Sequence, residues 1–553
     1  MCYYLALPPL NLYLLAFLVP VFWTLYVQNA AEQTNPDNKR SGFKSFASIY
    51  LTAFVFWISS IYWISFPHPI LYLALFALAA FLSIYWVLFF YAARVAVHRF
   101  KIPAVLAVPL CWVGCEYLRF HLLGGFSFCA LQHAFYKLPL LLQLANIGGE
   151  YAVAAWIFAI GAALAVLFRR KVPAATPLSE KIYEKTFYAF MLVFLLLSVL
   201  VHGFFSGLDF DISMQKPLPN PVKIAALQGN IPLTLATAAD VSDKTFRQLA
   251  DLAYQAAKKD ERVLIIFPET TCPIPILEFT GEVKPANVGL TEEQADDWRR
   301  QLQEFVDEIQ TPVLFGCSTY QFRDSETPKR LNSALYLLPS AVCRLPFPPR
   351  YDKIELVMFG EYIPFSEYLP DDFFIKTLCQ EAGRGKDFTA MDFSAAGLHP
   401  SALYFTPNIC FESTVPHFIR QSVVAQATTN KIAVLINLSN DAWFHGSRQV
   451  DQHLATMVFR AVENGVWHIS ANNGGFSVII RPDGTIQNIG SRGQAKIVEG
   501  TIYPELHWNT VYQTIGDIPA LLCALAVLFF VILPSKRRAA LAPAKITTTT
   551  HTQ

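Results

Sequence analysis

The chain has 553 residues, of which 54% are hydrophobic and only 15% charged, against about 25% charged in an ordinary soluble protein. Its mean hydropathy is +0.35 and its net charge +1, so no global field points to nucleic acid, and no basic aromatic stripe supports one. The ten Cys residues form no CxxC pair and no Cys/His metal spacing; neither a disulfide framework nor a zinc site is signalled, and nothing calls for a cofactor.

Apolar runs of about the 20 residues that a helix needs to cross a bilayer core fall at about 8–28, 47–66, 69–93, 103–120, 150–168, 187–205 and 516–534. The fourth is interrupted near its end by Glu116. The start of the chain has no basic region and no cleavage motif, so a removable signal peptide is not expected. Lys39, Arg40 and Lys44 follow the first run, and Arg94, Arg99 and Lys101 the third. Arg169, Arg170, Lys171, Lys181 and Lys185 lie between the fifth and sixth, and Lys536, Arg537 and Arg538 after the last. The positive-inside rule assigns these four segments to the cytoplasm.

The 121–149 loop and a polar region at about 207–514 then lie outside. An odd number of spans puts the N-terminus outside too, unless a further helix precedes Met1. The expected organisation is transmembrane helices over 1–206, an extracytoplasmic domain over 207–514, a closing span over 515–535 and a cytoplasmic tail over 536–553, Thr-rich and disordered in character. A transporter would mark its pathway with intramembrane charges or helices broken at corresponding places in two halves. The sequence has neither, and no internal repeat, so the polar domain is the working part.

From Pro221 the pattern is that of a mixed α/β globule. Strand-like runs are Val222–Gln228, Val263–Phe267, Pro312–Gly316, Ser333–Leu338, Ala402–Ile409, Ala433–Leu438 and Ser477–Arg481. Helical periodicity fits Ser242–Lys259, Thr291–Glu308 and Val450–Asn464, so strands alternate with helices in a layered fold. Arg481-Pro482-Asp483-Gly484-Thr485 is a turn between two late strands. Arg460 and Glu463, three apart on a helix, read as a structural ion pair, and His453 beside them as a helix-surface or core residue. The apolar 272–290 stretch reads as a loop over the neighbouring carboxylate Glu269.

Three strand ends carry chemistry. Glu269 closes Val263-Leu264-Ile265-Ile266-Phe267-Pro268, Lys353 follows Tyr351-Asp352, and Cys410 closes the Ala402–Ile409 run. A thiol after an apolar strand is ordinarily a buried structural residue. With a carboxylate to take its proton and an ammonium to meet an oxyanion, it becomes a nucleophile for covalent acyl chemistry. Glu361, in Phe359-Gly360-Glu361-Tyr362, could anchor Lys353 or position the attacking amine.

In chain order, Phe267-Pro268-Glu269-Thr270, Tyr351-Asp352-Lys353 with Phe359-Gly360-Glu361-Tyr362, and Ile409-Cys410-Phe411-Glu412 resemble the nitrilase superfamily with its Glu–Lys–Cys triad. Within it the chain is similar to the apolipoprotein N-acyltransferase family, through the helices before the domain, Leu227-Gln228-Gly229-Asn230, Ser439-Asn440-Asp441-Ala442-Trp443-Phe444, Asn472-Asn473-Gly474 and the single closing span. The resemblance implies an αββα sandwich on a polytopic helical membrane domain, in the bacterial inner membrane. It implies that Cys410 takes a fatty acyl chain from a phospholipid as a thioester, with Glu269 shuttling protons and Lys353 holding the oxyanion. The chain then passes to the N-terminal amine of the S-diacylglyceryl-cysteine of a lipoprotein. Glu361 and Glu412 match the family's supporting carboxylates; Tyr362 and Phe411 read as packing.

Departures from the family pattern are Glu355 and Met358, where a His and a Pro are common, and the absence of a Trp soon after Gln228-Gly229-Asn230. The family's chains also begin with a helix before the segment matched by Pro8-Pro9-Leu10, which favours a further helix before Met1. The competing readings are a membrane-tethered nitrilase-type amidase, with water as the second acceptor, and an inactive membrane scaffold. The first predicts release of free fatty acid, the second indifference to Cys410→Ala.

Overall fold

The structure is a computed structural model. It describes residues 1–29, 39–168, 178–215, 220–232, 239–259, 263–272, 275–279, 284–285, 291–323, 328–341, 348–364, 366–368, 370, 382–425 and 432–532. The tail over 536–553, the basic residues Arg169–Lys171 and most of the 272–290 stretch lie outside these residues.

The first half is helical: α1 (Cys2–Ala6), α2 (Leu15–Asn29), α3 (Lys39–Ile61), α4 (Leu71–Arg94), α5 (Ala104–His121), α6 (Pro139–Leu142), α7 (Ala145–Leu167) and α8 (Leu178–Gln215). Among the described residues five helical segments are long and apolar enough to cross a membrane: Lys44–Ser65, Leu71–Arg99, Ala104–Gly124, Ala145–Leu167 and Thr186–Phe204. The first and last apolar runs form shorter helices, Leu15–Asn29 and Ile518–Ile532, each about 22 Å long at 1.5 Å per residue. The first run loses about two turns because Pro8 and Pro9 offer no N–H to a helical ladder and the chain stays irregular to Leu14. At the other end of the bundle α8 does not stop near residue 205 but continues unbroken to Gln215.

The second half begins with β1 (Val222–Gln228), α9 (Ala239–Lys259), β2 (Val263–Ile266), β3 (Ile276–Phe279), α10 (Glu292–Ile309), β4 (Val313–Phe322), β5 (Lys329–Leu337) and β6 (Arg350–Asp352). It continues with β7 (Met391–Asp392), β8 (Tyr404–Ile409), α11 (Pro416–Val424), β9 (Ile432–Asn440), α12 (Gln449–Asn464), β10 (Trp467–Asn473), β11 (Val478–Ile480), β12 (Ile486–Ile489), β13 (Lys496–Ile502), α13 (Val511–Ile515) and α14 (Ile518–Ile532). Thr291 caps α10 by a reciprocal pair with Gln294, the sequence signature of a helix start. The turn at Arg481–Thr485 joins β11 to β12, with Gly484 at φ +86°.

The strands form two sheets. One has the order β13-β1-β2-β4-β5-β6 with β3 added on β4; the other runs β12-β11-β10-β9-β8-β7. Alternation along each strand, period two, decides the layers. Ile224, Ala226, Leu264, Ile266 and Leu314 of the first sheet share a core with Phe405, Ile409, Val434, Ile436 and Ile469 of the second. Their neighbours Ala225, Leu227, Ile265, Phe267, Val313 and Phe315 face outward onto Leu249, Ala253, Leu302 and Val306 of α9 and α10. Helices α11 and α12 lie on the second sheet, giving the αββα sandwich that the resemblance implies.

Helix α12 is buried along its whole length, because its far side lies on the membrane bundle: Leu454, Met457, Val458, Phe459 and Val462 belong to the same apolar core as α2, α4, α5 and α7. Its polar residues find partners there in place of water. Gln452 donates to Ser60 O (3.2 Å) and accepts from Trp63 Nε1 (3.2 Å). Arg460 pairs with Glu463 (2.7 Å) as the spacing predicts, and also with Glu150 at the start of the fifth apolar run (2.7 Å). Glu150 further meets His133 and Gln132, and Gln132 meets Glu116, itself paired with Arg119 at 3.0 Å. The charges at these span ends therefore dock the α/β half onto the bundle.

Candidate active site

Glu269, Lys353 and Cys410 come together at one end of the two-sheet core. Strand β2 ends at Ile266, and the chain turns over Pro268 into Glu269 and Thr270, the latter at φ +47°. This turn lies on Gly316 of β4: a Cβ there would sit 2.3 Å from Pro268 O and 2.7 Å from Glu269 Cα. Only glycine allows the close approach. The carboxylate is buried, and its Oε1 accepts from Asn332 Nδ2 on β5 (2.7 Å) and lies 3.4 Å from Lys353 Nζ.

Lys353 follows β6. Its backbone is pinned on both sides, donating to Asn332 O (2.8 Å) and accepting from Gly385 N (2.7 Å). The ammonium is 1% exposed and bonded to Glu361 Oε1 at 2.8 Å. Glu361 in turn accepts from Val357 N through Oε2 (2.9 Å), which closes the Val357–Glu361 loop on its own carboxylate. Burial works against the Lys353 charge, but Glu361 and then Glu269 outweigh it and hold the ammonium well above its usual range.

Cys410 follows β8 with φ +53°, a left-handed conformation that costs a non-glycine residue on the order of 1–3 kcal/mol and recurs at functional sites. It turns the side chain out of the strand direction, beside the Glu269 carboxylate and Ser439, both of which act on the thiol's proton. Burial, then Glu269, raise the thiol's hold on its proton, while Lys353 lowers it. Burial likewise raises Glu269, with Lys353 pulling it down and Glu361 pushing it up. A thiol and a carboxylate of raised proton affinity thus stand together beside a fixed cation, which suits general-base delivery of a thiolate.

Glu412 does not touch Lys353; it fastens the two loops to each other. Its Oε1 accepts from Tyr351 Oη (2.8 Å), Ile354 N (2.7 Å) and Glu355 N (2.9 Å), and its Oε2 from Ile409 N (2.6 Å). Burial pushes its pKa up to about 7, against the pull of the Ile409 N–H and of Lys353. Tyr362 lies under the Arg384 guanidinium at 4.9 Å, and Phe411 packs on the bundle core.

The site faces the bundle. Ser127 Oγ donates to Thr414 O (2.6 Å) in the turn that Cys410 opens, and a Cβ added at Gly124 would lie 3.7 Å from Tyr362 Oη and 3.8 Å from Met358 Cε. Leu122, Leu123 and Phe359 beside it are exposed, an apolar rim next to the carboxylate that holds Lys353.

Asn332, Ser439 and Asp441 were not singled out as site residues by sequence reasoning. Asn332 has no mark of its own in the sequence, since Lys329, Arg330 and Ser333 make the whole first half of its strand polar around Leu331. His453 is a core residue, bonded to Asp441 (3.0 Å) and Ser413 (2.7 Å). The 272–290 stretch is not wholly loop: Ile276–Phe279 adds to β4 as a parallel strand. Among the described residues one His/Asp group has metal-like spacing, His121, His417 and Asp517. Its two imidazoles stack at 4.2 Å and 19°, so their in-plane lone pairs run side by side, and Arg420 lines the same cavity. His121 Nε2 lies 3.2 Å from Asp517 Oδ2.

Residues 1–163 match the apolipoprotein N-acyltransferase N-terminal domain, and residues 223–515 the carbon-nitrogen hydrolase family. An apolipoprotein N-acyltransferase of Geobacter metallireducens is 27% identical over 512 residues, 90% of this chain and 88% of its own. One of Rhodopirellula baltica is 26% identical over 545 residues, covering 89% and 90%. Among solved structures, an amidase of Nesterenkonia sp. AN1 aligns at 14% identity with a TM-score of 0.35, over 55% of this chain and 97% of its own.

Proposed function

We propose that this chain, which belongs to the carbon-nitrogen hydrolase family in its membrane-embedded apolipoprotein N-acyltransferase branch, moves a fatty acyl chain from a phospholipid to the N-terminal amine of S-diacylglyceryl-cysteine on a lipoprotein. It is an acyltransferase of the bacterial inner membrane, and its active side lies outside the cytoplasm. The observation that carries the reading is a thiol gathered with a buried carboxylate that is itself 3.4 Å from a buried ammonium, on the face of the domain turned to a membrane bundle.

In the first half-reaction Glu269 takes the Cys410 proton as the sulfur attacks the phospholipid ester carbonyl. The Lys353 ammonium meets the oxyanion of the tetrahedral intermediate. Collapse breaks the ester C–O bond, the lysophospholipid oxygen takes the proton from Glu269, and the acyl chain remains as a thioester. In the second half the lipoprotein amine attacks that thioester, Glu269 accepts an amine proton, and collapse to the amide expels the Cys410 sulfur, which recovers the proton. One thiol serving both halves makes the kinetics ping-pong.

The decisive experiment is mass spectrometry of the intact protein after exposure to phospholipid. A fatty acyl adduct on Cys410 that disappears when a diacylglyceryl peptide is added, with acylated peptide as product, is the expected result. Release of free fatty acid alone would make the enzyme a hydrolase; no adduct, with transfer intact in Cys410→Ser, would end the thioester mechanism.

A further inference from the structure

The turn that carries Glu269 interrupts a parallel pairing, and the residues on either side of it are still in register with β4. Ile265 pairs with Val313 and donates its N–H to Pro312 O at 3.1 Å, one residue before its partner, as parallel strands do. Phe267 N donates to Leu314 O at 2.9 Å in the same way, which sets Phe267 beside Phe315. After the turn, Cys272 N donates to Gly316 O at 3.2 Å. The same rule sets Cys272 beside Cys317. Residues 268–271, with the base among them, are therefore looped out against Gly316 alone.

Both cysteines lie on one face of the sheet. Leu314 points into the core between the sheets, whereas Phe315 and Cys317 point into the outer layer against α9 and α10, where Cys272 is also buried. Neighbouring positions on adjacent strands stand about 4.8 Å apart, within the range of about 4.4–6.8 Å between Cα atoms that a disulfide accepts. Cys272 precedes β3 in irregular backbone, so it can adjust to the bond geometry. Burial holds the Cys317 proton affinity well above its usual range, and of the titratable groups acting on it Cys272 comes before Arg350 and Asp352. Cys410 packs against the inner core instead.

We propose that Cys272 and Cys317 form a disulfide that latches the Glu269 turn onto β4. This rests on the α/β half lying outside the cytoplasm, where disulfides form and persist. Each thiol gives up one hydrogen as the S–S bond forms. A disulfide-bearing oxidant of that compartment takes both hydrogens and the electron pair, and is itself reduced to a dithiol. Strand β2 then holds the turn on one side and the disulfide on the other. The outer layer keeps this bond apart from Cys410, so the latch leaves the nucleophile reduced. The same apolar layer shields the closed bond from soluble thiols and places its formation at the stage when the sheet assembles.

The test is peptide mapping of the full-length protein produced in an oxidising extracytoplasmic compartment, with its thiols blocked by N-ethylmaleimide in denaturant before any reductant is added. The expected result is a Cys272–Cys317 cross-linked peptide, lighter than its two parts by the two thiol hydrogens and open to labelling only after reduction. Protease treatment of spheroplasts, run in parallel, separates the disulfide from the orientation it rests on. Both cysteines labelled without reductant, in a chain whose α/β half is cut from outside, overturns the disulfide, as does a link from either one to any other cysteine. An α/β half protected from outside overturns the orientation instead. Copper–phenanthroline oxidation of the same membranes then decides the pair: the same cross-linked peptide supports it, and its absence overturns it.

The latch itself is read from the unfolding temperature. Cys272→Ala and Cys317→Ala should each lower it by about 5 °C. The double variant should lose no more than either, since one bond is lost in all three. Losses that add would mean ordinary packing at two sites and would overturn the latch.

Discussion

Glu361 offers a test in which the sign of the effect is diagnostic. Lys353 Nζ lies 2.8 Å from Glu361 Oε1 and 3.4 Å from Glu269 Oε1, so the two carboxylate oxygens are no more than about 6 Å apart. Two like charges at that distance repel by roughly 3 kcal/mol at an effective dielectric of about 20, or about two pH units at most. Glu361 is 21% exposed, and solvent screening brings the expected effect to about one unit. Glu361 holds the Glu269 pKa up, and the working form of Glu269 is the free carboxylate. The rate of Cys410 acylation therefore rises with pH through the Glu269 pKa. Glu361→Gln keeps the shape and removes the charge, so it should move this acidic limb to lower pH by about one unit. The plateau should fall about tenfold, because the base is weaker. Single-turnover appearance of the acyl adduct, followed by mass spectrometry across pH, reads both. A limb that stays in place or moves to higher pH would refute the reasoning, since it would mean that Glu361 does not act electrostatically on the base.

Gly316→Ala puts a methyl group 2.3 Å from Pro268 O and should displace the Glu269 turn, costing about 1–3 kcal/mol of stability but a larger factor in acylation rate; thermal unfolding and adduct formation compared on one sample check this. Glu412→Ala strips the acceptor from Tyr351 Oη and from the N–H groups of Ile354, Glu355 and Ile409, and should destabilise by about 3 kcal/mol or more, seen as a lowered unfolding temperature with loss of activity. Arg460→Met leaves Glu150 and Glu463 facing each other without a counter-charge. It should cost about 3–5 kcal/mol, measured by unfolding and by protease sensitivity at the junction of the two halves, and adding Glu150→Gln should recover part of the loss.

The parts of the fold legible in the sequence are those whose pattern answers to a single environment. Val222–Gln228 has one register and one set of neighbours and is found with its bounds, and Thr291 with Gln294 announces α10. Glu269, Lys353 and Cys410 are legible for a related reason: each stands at a strand end, where a polar group after an apolar run has no packing role to explain it. The parts not legible are those whose polarity is satisfied by residues far away in the chain. Strand β10, Trp467–Asn473, carries His468, Ser470 and Asn472, which bond to Met457 O, Asn437 Oδ1 and Asp441 Oδ2, so no alternation shows. Helix α12 has the period of a half-exposed helix, yet Gln452, His453, Arg460 and Glu463 are buried on it, because the membrane bundle takes the place of water on its outer face. A sequence records that such a face is polar and leaves open what it meets. That ambiguity bears on the site itself. The same helix that seats the domain on the bundle through Arg460 presents His453 to Ser413 in the Cys410 turn, so the docking of the two halves and the setting of the nucleophile share one element. Loosening the junction at Glu150–Arg460 should therefore slow Cys410 acylation through α12, whereas Gly316→Ala should slow it from the other side, by displacing the Glu269 carboxylate that acts on the thiol.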